Sequence, residues 1–188
     1  LLRAADVKFD DSEQVSLPVK GGHVDGTYDL VLNGKVDDVK SASPWAYENK
    51  FIDFETLQSK DSFGYVSQLV GYSKAKGVPV GGWWVVNKAN GNFKYISASG
   101  VDVKEEMEKI QDTVDYINND EPFERCYEPV AETYYGKPSG NMKLGIECSF
   151  CSYRDKCWDP QVLPSKVSKS ANPPLINYVK LADAQDTL

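Results

Sequence analysis

Asp38 and Lys40 stand two apart in a run of strand-forming residues, so their side chains leave one face while Val39 points to the other, where it can enter the core. An earlier strand carries Gly22-His23-Val24-Asp25-Gly26, and pairing of the two strands would bring Asp25 alongside. Two carboxylates from neighbouring strands offer hard oxygen ligands suited to Mg²⁺, which keeps several waters and can activate one as a nucleophile. Lys40 beside them could polarise that water and steady a pentavalent phosphate. Alone, an Asp-x-Lys is usually the solvated face of a strand. Here it has company. Asp25 precedes Asp38 by 13 positions across an Asn33-Gly34 turn, and Gln68-Leu69-Val70-Gly71-Tyr72 follows, with Gln68 and Tyr72 four apart on one face of a predicted helix.

A second group is built from Cys126, Cys148, Cys151 and Cys157. The last three read C-x2-C-x5-C, too compact for two independent disulfides and suited to thiolates gathered on one metal centre. Buried or surface thiols without a ligand are the plain alternative. Four thiolates suit zinc and iron–sulfur alike, so spacing leaves the metal open.

The elements that must position these groups follow from patterning. Val15–Val19, His23–Leu32 and Lys35–Ala42 read as strands, and Asn33-Gly34 between the last two is the signal of a tight hairpin, whose central residues need positive φ. Pro44 breaks the strand, and Trp45 to Ser59 reads as a helix. Asp61 or Ser62 can cap a second helix running through Lys76, with Phe63, Val66, Leu69, Val70 and Ser73 on its buried face and Gly77 as its stop. Val78–Asn87, containing Trp83-Trp84, and Phe93–Ser97 form a second hairpin around Asn90-Gly91, with the tryptophans packing in the core and on the sheet face. Val101–Asn118 is an amphipathic helix. This order predicts an α/β fold with a central mixed sheet flanked by helices. The domain reading is a core over 1–120, a Cys-rich metal-binding segment over 121–160 packed on it, and a tail over 161–188.

Composition bounds the rest. A chain of 188 residues with 41% hydrophobic and 26% charged residues is globular and sized for one well-cored domain with appendages. A net charge of -7 means any phosphate contact must be local, through a metal and a few lysines. Lys40, Lys50, Lys60, Lys74 and Lys76 are candidates for a nucleic-acid groove, Ser41 and Ser43 for phosphate contact, and Tyr134, Tyr135 and Phe150 for base stacking. No run approaches the roughly 20 apolar residues of a membrane span, and Leu1-Leu2-Arg3-Ala4-Ala5 lacks a signal-peptide core. The expectation is a soluble cytoplasmic chain with no membrane partner.

Taken together, Gly-x-x-Asp, Asp-x-Lys and Gln-x-x-x-Tyr, over about residues 15 to 97, resemble the PD-(D/E)XK nucleases of the RecB-like branch, which include the RecB and AddB nuclease domains and the CRISPR-adaptation exonucleases. The resemblance implies a restriction-endonuclease-like core. It also implies Asp25 and Asp38 as ligands of Mg²⁺ or Mn²⁺, Val39 as a ligand through its carbonyl, Lys40 as the catalytic lysine, and Gln68 and Tyr72 facing the site and the DNA. In that branch a C-terminal C-x2-C-x5-C with one upstream Cys holds a 4Fe-4S cluster. Here Cys126 is the available fourth thiolate, Trp158 an apolar cover, and structural Zn²⁺ the alternative. Either metal would staple the C-terminal segment to the core. Relatives also carry a His ligand on an N-terminal helix. The single His23 lies inside the Gly-x-x-Asp box and reads as a local hydrogen-bonding residue, so that helix, and the upstream Cys, would lie before Leu1.

The implied function is a metal-dependent DNA exonuclease in recombination, repair or phage genome processing, with recombination or replication proteins as possible partners and the host cytoplasm as its place if viral. Two alternatives stand beside it: a noncatalytic DNA-binding or assembly module that keeps the fold, and a structural zinc-bearing protein.

Overall fold

The structure is a computed structural model and describes residues 2–120, 122, 124–158, 166–167 and 175–181. The chain divides into two compact units, Leu1–Glu121 and Pro122–Leu188.

The first unit is built on a mixed five-stranded sheet. Its strands are β1 (Phe9–Asp10), β4 (Leu30–Leu32), β5 (Lys35–Ala42), β6 (Val80–Asn87) and β7 (Phe93–Ser97), side by side in that order. All pairs are antiparallel except β5 with β6, which run parallel. A parallel pair needs a crossover, and three helices supply it: α1 (Pro44–Asn49), α2 (Phe54–Ser59) and α3 (Tyr65–Lys76). A separate antiparallel hairpin joins β2 (Glu13–Val19) to β3 (Gly22–Tyr28), and α4 (Val103–Asn118) packs against α3.

Asn33 and Gly34 take φ of 51° and 72°, the two positive values that the hairpin between β4 and β5 requires. The strand expected from His23 to Leu32 is interrupted at Asp29. Its first part pairs with β2 and its second with β5, so the hairpin partner of the Asp38 strand is Leu30–Leu32 and not the stretch carrying Asp25. The helix expected over 45–59 is likewise two short ones, because Asp53 turns its carboxylate onto Thr56 N and caps a new start. In α3 the apolar positions Val66, Leu69 and Val70 are buried with Ser73, while Phe63 lies before the helix and is exposed. The N-cap is Gly64, with φ 71°, in place of the expected Asp61 or Ser62; Asp61 still accepts from Val66 N at 2.9 Å in the first turn, and the helix stops at Gly77.

The core fills one face of the sheet. Val36, Ala42, Trp83, Val85 and Ile96 pack there with Phe51, Phe54 and Leu57 from α2 and its approach and with Val66 and Leu69 from α3. Fully burying one such side chain is worth about 1.5–3 kcal/mol. Val39 belongs to the other face and does not enter the core. It is 46% exposed and pairs across to Trp84, beside Tyr95 and Phe93. The reason is that the helices close over the Asp38 and Lys40 side. On the open side, Asp37 is buried and accepts from Gly82 N, Trp84 Nε1 and Tyr95 OH at 2.9, 3.0 and 3.0 Å.

The second unit contains a sheet of β8 (Val130–Tyr134), β9 (Lys137–Lys143) and β12 (Tyr178–Lys180), ordered β12-β9-β8. Helices α5 (Ile146–Ser149) and α6 (Arg154–Trp158) carry the clustered cysteines, and β10 (Lys166–Val167) pairs with β11 (Leu175–Ile176). Most of the stretch 161–188, expected to be a tail, lies outside the described residues, but Tyr178–Lys180 within it pairs with β9. Among the described residues no helix is long and apolar enough to cross a membrane.

Candidate active site

Helix α3 lies across the β2–β3 hairpin and strand β5, and its polar face joins them. The approach to the hairpin is close. A Cβ at Gly26 would meet Tyr72 Cε1 at 2.5 Å, so the absence of a side chain at Gly26 is what lets the Tyr72 ring lie on β3. A cleft of about 300 Å³ runs along this seam, lined by Val24, Asp25, Gly26, Ser67, Gln68 and Tyr72 among others.

From β5 a chain of polar contacts reaches up to α3. Lys40 Nζ lies 2.8 Å from Asp38 Oδ2 and donates to Gln68 Oε1 at 3.0 Å, and Gln68 Nε2 donates to Tyr72 OH at 3.0 Å. The spacing Asp-x-Lys puts both charges on the helix-covered face, and the four-residue spacing on α3 puts both partners above them. Asp38 is therefore not part of a solvated strand face: it is 5% exposed. The ammonium is near enough for an ion pair, yet Asp38 Oδ2 is buried with no well-aligned hydrogen bond. Burial pushes the Asp38 carboxyl above its ordinary range; Lys40 pulls it down and the Asp29 carboxylate pushes it up again. Burial also raises the Tyr72 hydroxyl, which Gln68 partly offsets.

The first carboxylate stands apart. Asp25 pairs with Ser16 across the hairpin, its side chain is half exposed, and His23 stands beside it, with Nε2 3.5 Å from Asp25 Oδ2. It lines the same cleft as Gln68 and Tyr72, but the structure does not bring it into contact with Asp38 or Lys40. The neighbour that does reach Asp38 is Asp29, which sequence reasoning passed over. Asp29 Oδ2 accepts from Val39 N at 2.6 Å, and continuing the β4–β5 register past Leu30–Asp37 sets Asp29 opposite Asp38. An aspartate inside an otherwise apolar strand run, at Tyr28-Asp29-Leu30, was the signal available, since aspartate is a poor strand former. Among the described residues no three His, Cys, Asp or Glu side chains converge as a metal-binding group.

No protein-family model, curated protein or solved structure matches the chain.

Around the Asp38–Lys40 pair the lysines divide. Lys40 and Lys50 bracket the Tyr65 ring at 4.6 and 4.5 Å from its centroid, and Lys50 also lies 5.3 Å from the exposed Phe63 ring. That edge is basic and aromatic, a pairing that suits a nucleic-acid strand. Lys60 is tied to Asn49 O at 2.7 Å, and Lys76 pairs with Glu13, so both serve the fold. Ser43 caps α1 through Ala46 N at 3.2 Å rather than facing the site, and Ser41 lies exposed on the open sheet face. Trp83 is fully buried core, and Trp84 covers Asp37.

In the second unit Cys148 is buried and packs with Leu144 and Trp158, with Cys157 beside them, while Cys126 and Cys151 are exposed. Burial raises the Cys148 thiol, and the neighbouring Cys151 and Cys157 raise it further. Trp158 is buried as expected of a cover, and the Arg125 guanidinium lies 3.9 Å over its ring while Arg125 Nε donates to Cys157 O at 3.2 Å. Tyr134, Tyr135 and Phe150 are exposed in this unit.

Proposed function

We propose that this chain is a divalent-metal-dependent deoxyribonuclease of the PD-(D/E)XK type, built on a restriction-endonuclease-like core and acting as an exonuclease in DNA recombination, repair or phage genome processing. The observation that carries the reading is Asp38. It is a carboxylate held 5% exposed, with an oxygen lacking a well-aligned hydrogen bond, an ammonium at 2.8 Å and the Gln68–Tyr72 pair above. A buried carboxylate of this kind costs stability, and an arrangement that keeps it is suited to a cation. The donor set fits Mg²⁺ or Mn²⁺, which need one or two carboxylates and otherwise take water and phosphate oxygens.

Asp38, with the Val39 carbonyl beside it, would hold the ion, which when bound supplies Lewis acidity to a phosphoryl oxygen and to water. Lys40 presents its ammonium to the charge that builds on the phosphate. Gln68 fixes that ammonium at 3.0 Å, and Tyr72 fixes Gln68, so the charge is aimed before substrate arrives. Asp25 faces the cleft along which a strand would enter, and Lys50 with Phe63 and Tyr65 flanks the other side of Lys40. The cysteines fit a soft-metal centre by donor type and spacing alone: Cys148, Cys151 and Cys157, with Cys126 as the fourth thiolate, would have to draw together around a 4Fe-4S cluster or structural Zn²⁺ that staples the second unit.

A noncatalytic DNA-binding module is the second reading. It is favoured because Asp25 contacts His23 while the carboxylate set opposite Asp38 is Asp29, whereas the resemblance asks Asp25 and Asp38 to share an ion.

The test is end-labelled single- and double-stranded DNA incubated with the protein in Mg²⁺, Mn²⁺ or EDTA. Cleavage is expected with either cation and none in EDTA; retention of DNA without cleavage under every condition would assign the binding module. Visible iron–sulfur absorbance of the same preparation is expected, and bound zinc without it would assign the structural metal.

A further inference from the structure

We propose that Asp29, four residues after the aspartate that the motif points to, is the second carboxylate of the Asp38 cation site. The inference rests on reading Asp38 as a cation ligand and changes which residue shares the ion.

Three observations lead to Asp29. The first is the break in the strand. Tyr28 is fully buried and Leu30 nearly so, and the chain leaves the β2–β3 hairpin and joins the central sheet between them, which fixes Asp29 at the crossing. The second is the hydrogen bond that results. The antiparallel ladder of β4 with β5 ends at Leu30–Asp37, and the Val39 N–H beyond it donates to Asp29 Oδ2 at 2.6 Å. That contact anchors the carboxylate one residue from Asp38 and leaves Asp29 Oδ1 for another partner. The third is the buried Asp38 oxygen that lacks a well-aligned hydrogen bond.

Asp29 and Asp38, opposite in register with one exposed and one buried, repel each other when both are ionised. A hard divalent cation between them would relieve that repulsion, and two carboxylates are the usual protein share of a Mg²⁺ site. Asp25, half exposed and paired with His23 at 3.5 Å, has no comparable anchor. It remains on the cleft wall as a group that meets the incoming strand.

Mn²⁺ binding followed by electron paramagnetic resonance tests this without any turnover. Wild type, Asp38→Asn, Asp29→Asn and Asp25→Asn would be titrated, each checked by circular dichroism for its fold. Asp29→Asn keeps an oxygen for the Val39 N–H and loses only the charge. It is expected to weaken Mn²⁺ binding by about a hundredfold, as Asp38→Asn does, while Asp25→Asn stays within about threefold of wild type. On the unaltered chain, Mn²⁺ should broaden the Asp29 and Val39 amide resonances at lower concentration than that of Asp25, a readout that survives if a variant misfolds. Tight binding by Asp29→Asn with loss in Asp25→Asn would overturn the inference and leave the cation site standing. No Mn²⁺ binding by wild type would remove the site itself.

Discussion

Replacing Lys40 by methionine is expected to lower cation-dependent DNA cleavage by about a thousandfold, the scale on which one preorganised charge at a reacting centre acts. Methionine keeps an apolar stem against the Tyr65 ring, 4.6 Å from the lysine nitrogen, so packing survives and the charge alone is removed. The loss should fall on the rate of the chemical step, with DNA affinity changed far less, because Lys50 and its aromatic neighbours remain. A second signature follows from electrostatics. Lys40 opposes the burial that raises Asp38, so without it the Asp38 carboxyl titrates at still higher pH. Residual activity should therefore show its acid limb displaced upward. Wild-type turnover in Lys40→Met, with an unmoved pH profile, would show that the amine takes no part.

Gly82→Ala is expected to be the most damaging single methyl in the first unit. A Cβ there would stand 2.1 Å from Ile96 O and 2.9 Å from the Tyr95 ring, so the edge strand β7 would have to separate from β6. Backbone cannot rotate away as a side chain can. The Gly82 N–H also donates to Asp37, and the Trp84 and Tyr95 bonds to that carboxylate depend on the same spacing. The expected cost is about 3 kcal/mol, at the upper end for overpacking, and about 10 °C in Tm. Gly22→Ala is the control: a Cβ there meets nothing within 4 Å, and a change under about 0.5 kcal/mol is expected. Thermal melts of the two variants check the contrast, and equal Tm values would contradict the close approach.

How much of this was visible in the sequence depends on whether the deciding contact is local. The hairpin at Asn33-Gly34 was legible because its turn type dictates residue type, and α3 was legible because its apolar spacing matches one helical face. The short spacings placed Asp38 with Lys40 on one strand face and Gln68 with Tyr72 on one helix face, but that Gln68 meets Lys40 was visible only in the structure. The break in the His23–Leu32 run had one local hint, a poor strand former at Asp29, but the partner of Asp29 was not legible, since Val39 N is ten residues on and in place only once β5 forms. The same holds for the face of Val39. Alternation separates it from Asp38 and Lys40 but cannot say which side the helices cover, and here they cover the charged side. Gly81-Gly82 inside a strand could have been read as a site of close backbone approach. The approaching groups, Ile96 O and the Asp37 carboxylate, come from elsewhere in the chain.

Asp38 also separates what serves the site from what serves the fold. Burial raises its carboxyl above the unfolded value of about 3.9, so the folded state takes up its proton at higher pH than the unfolded one. Stability from this group is present at low pH and falls as pH rises through the window from the unfolded value to the raised folded one, leaving a cost at neutral pH. The net direction is upward despite Lys40, so the burial penalty exceeds what the ion pair returns. A neutral isostere should relieve it.

The most direct measurement is therefore the initial rate of DNA cleavage by Asp38→Asn beside wild type in saturating Mn²⁺ at neutral pH, with the Tm of each taken in EDTA, where no bound ion stabilises wild type. The account predicts a rate lower by at least about a thousandfold together with a Tm equal to or above that of wild type, the pattern of a group held against the interests of the fold. A variant that cleaves DNA as fast as wild type would contradict it.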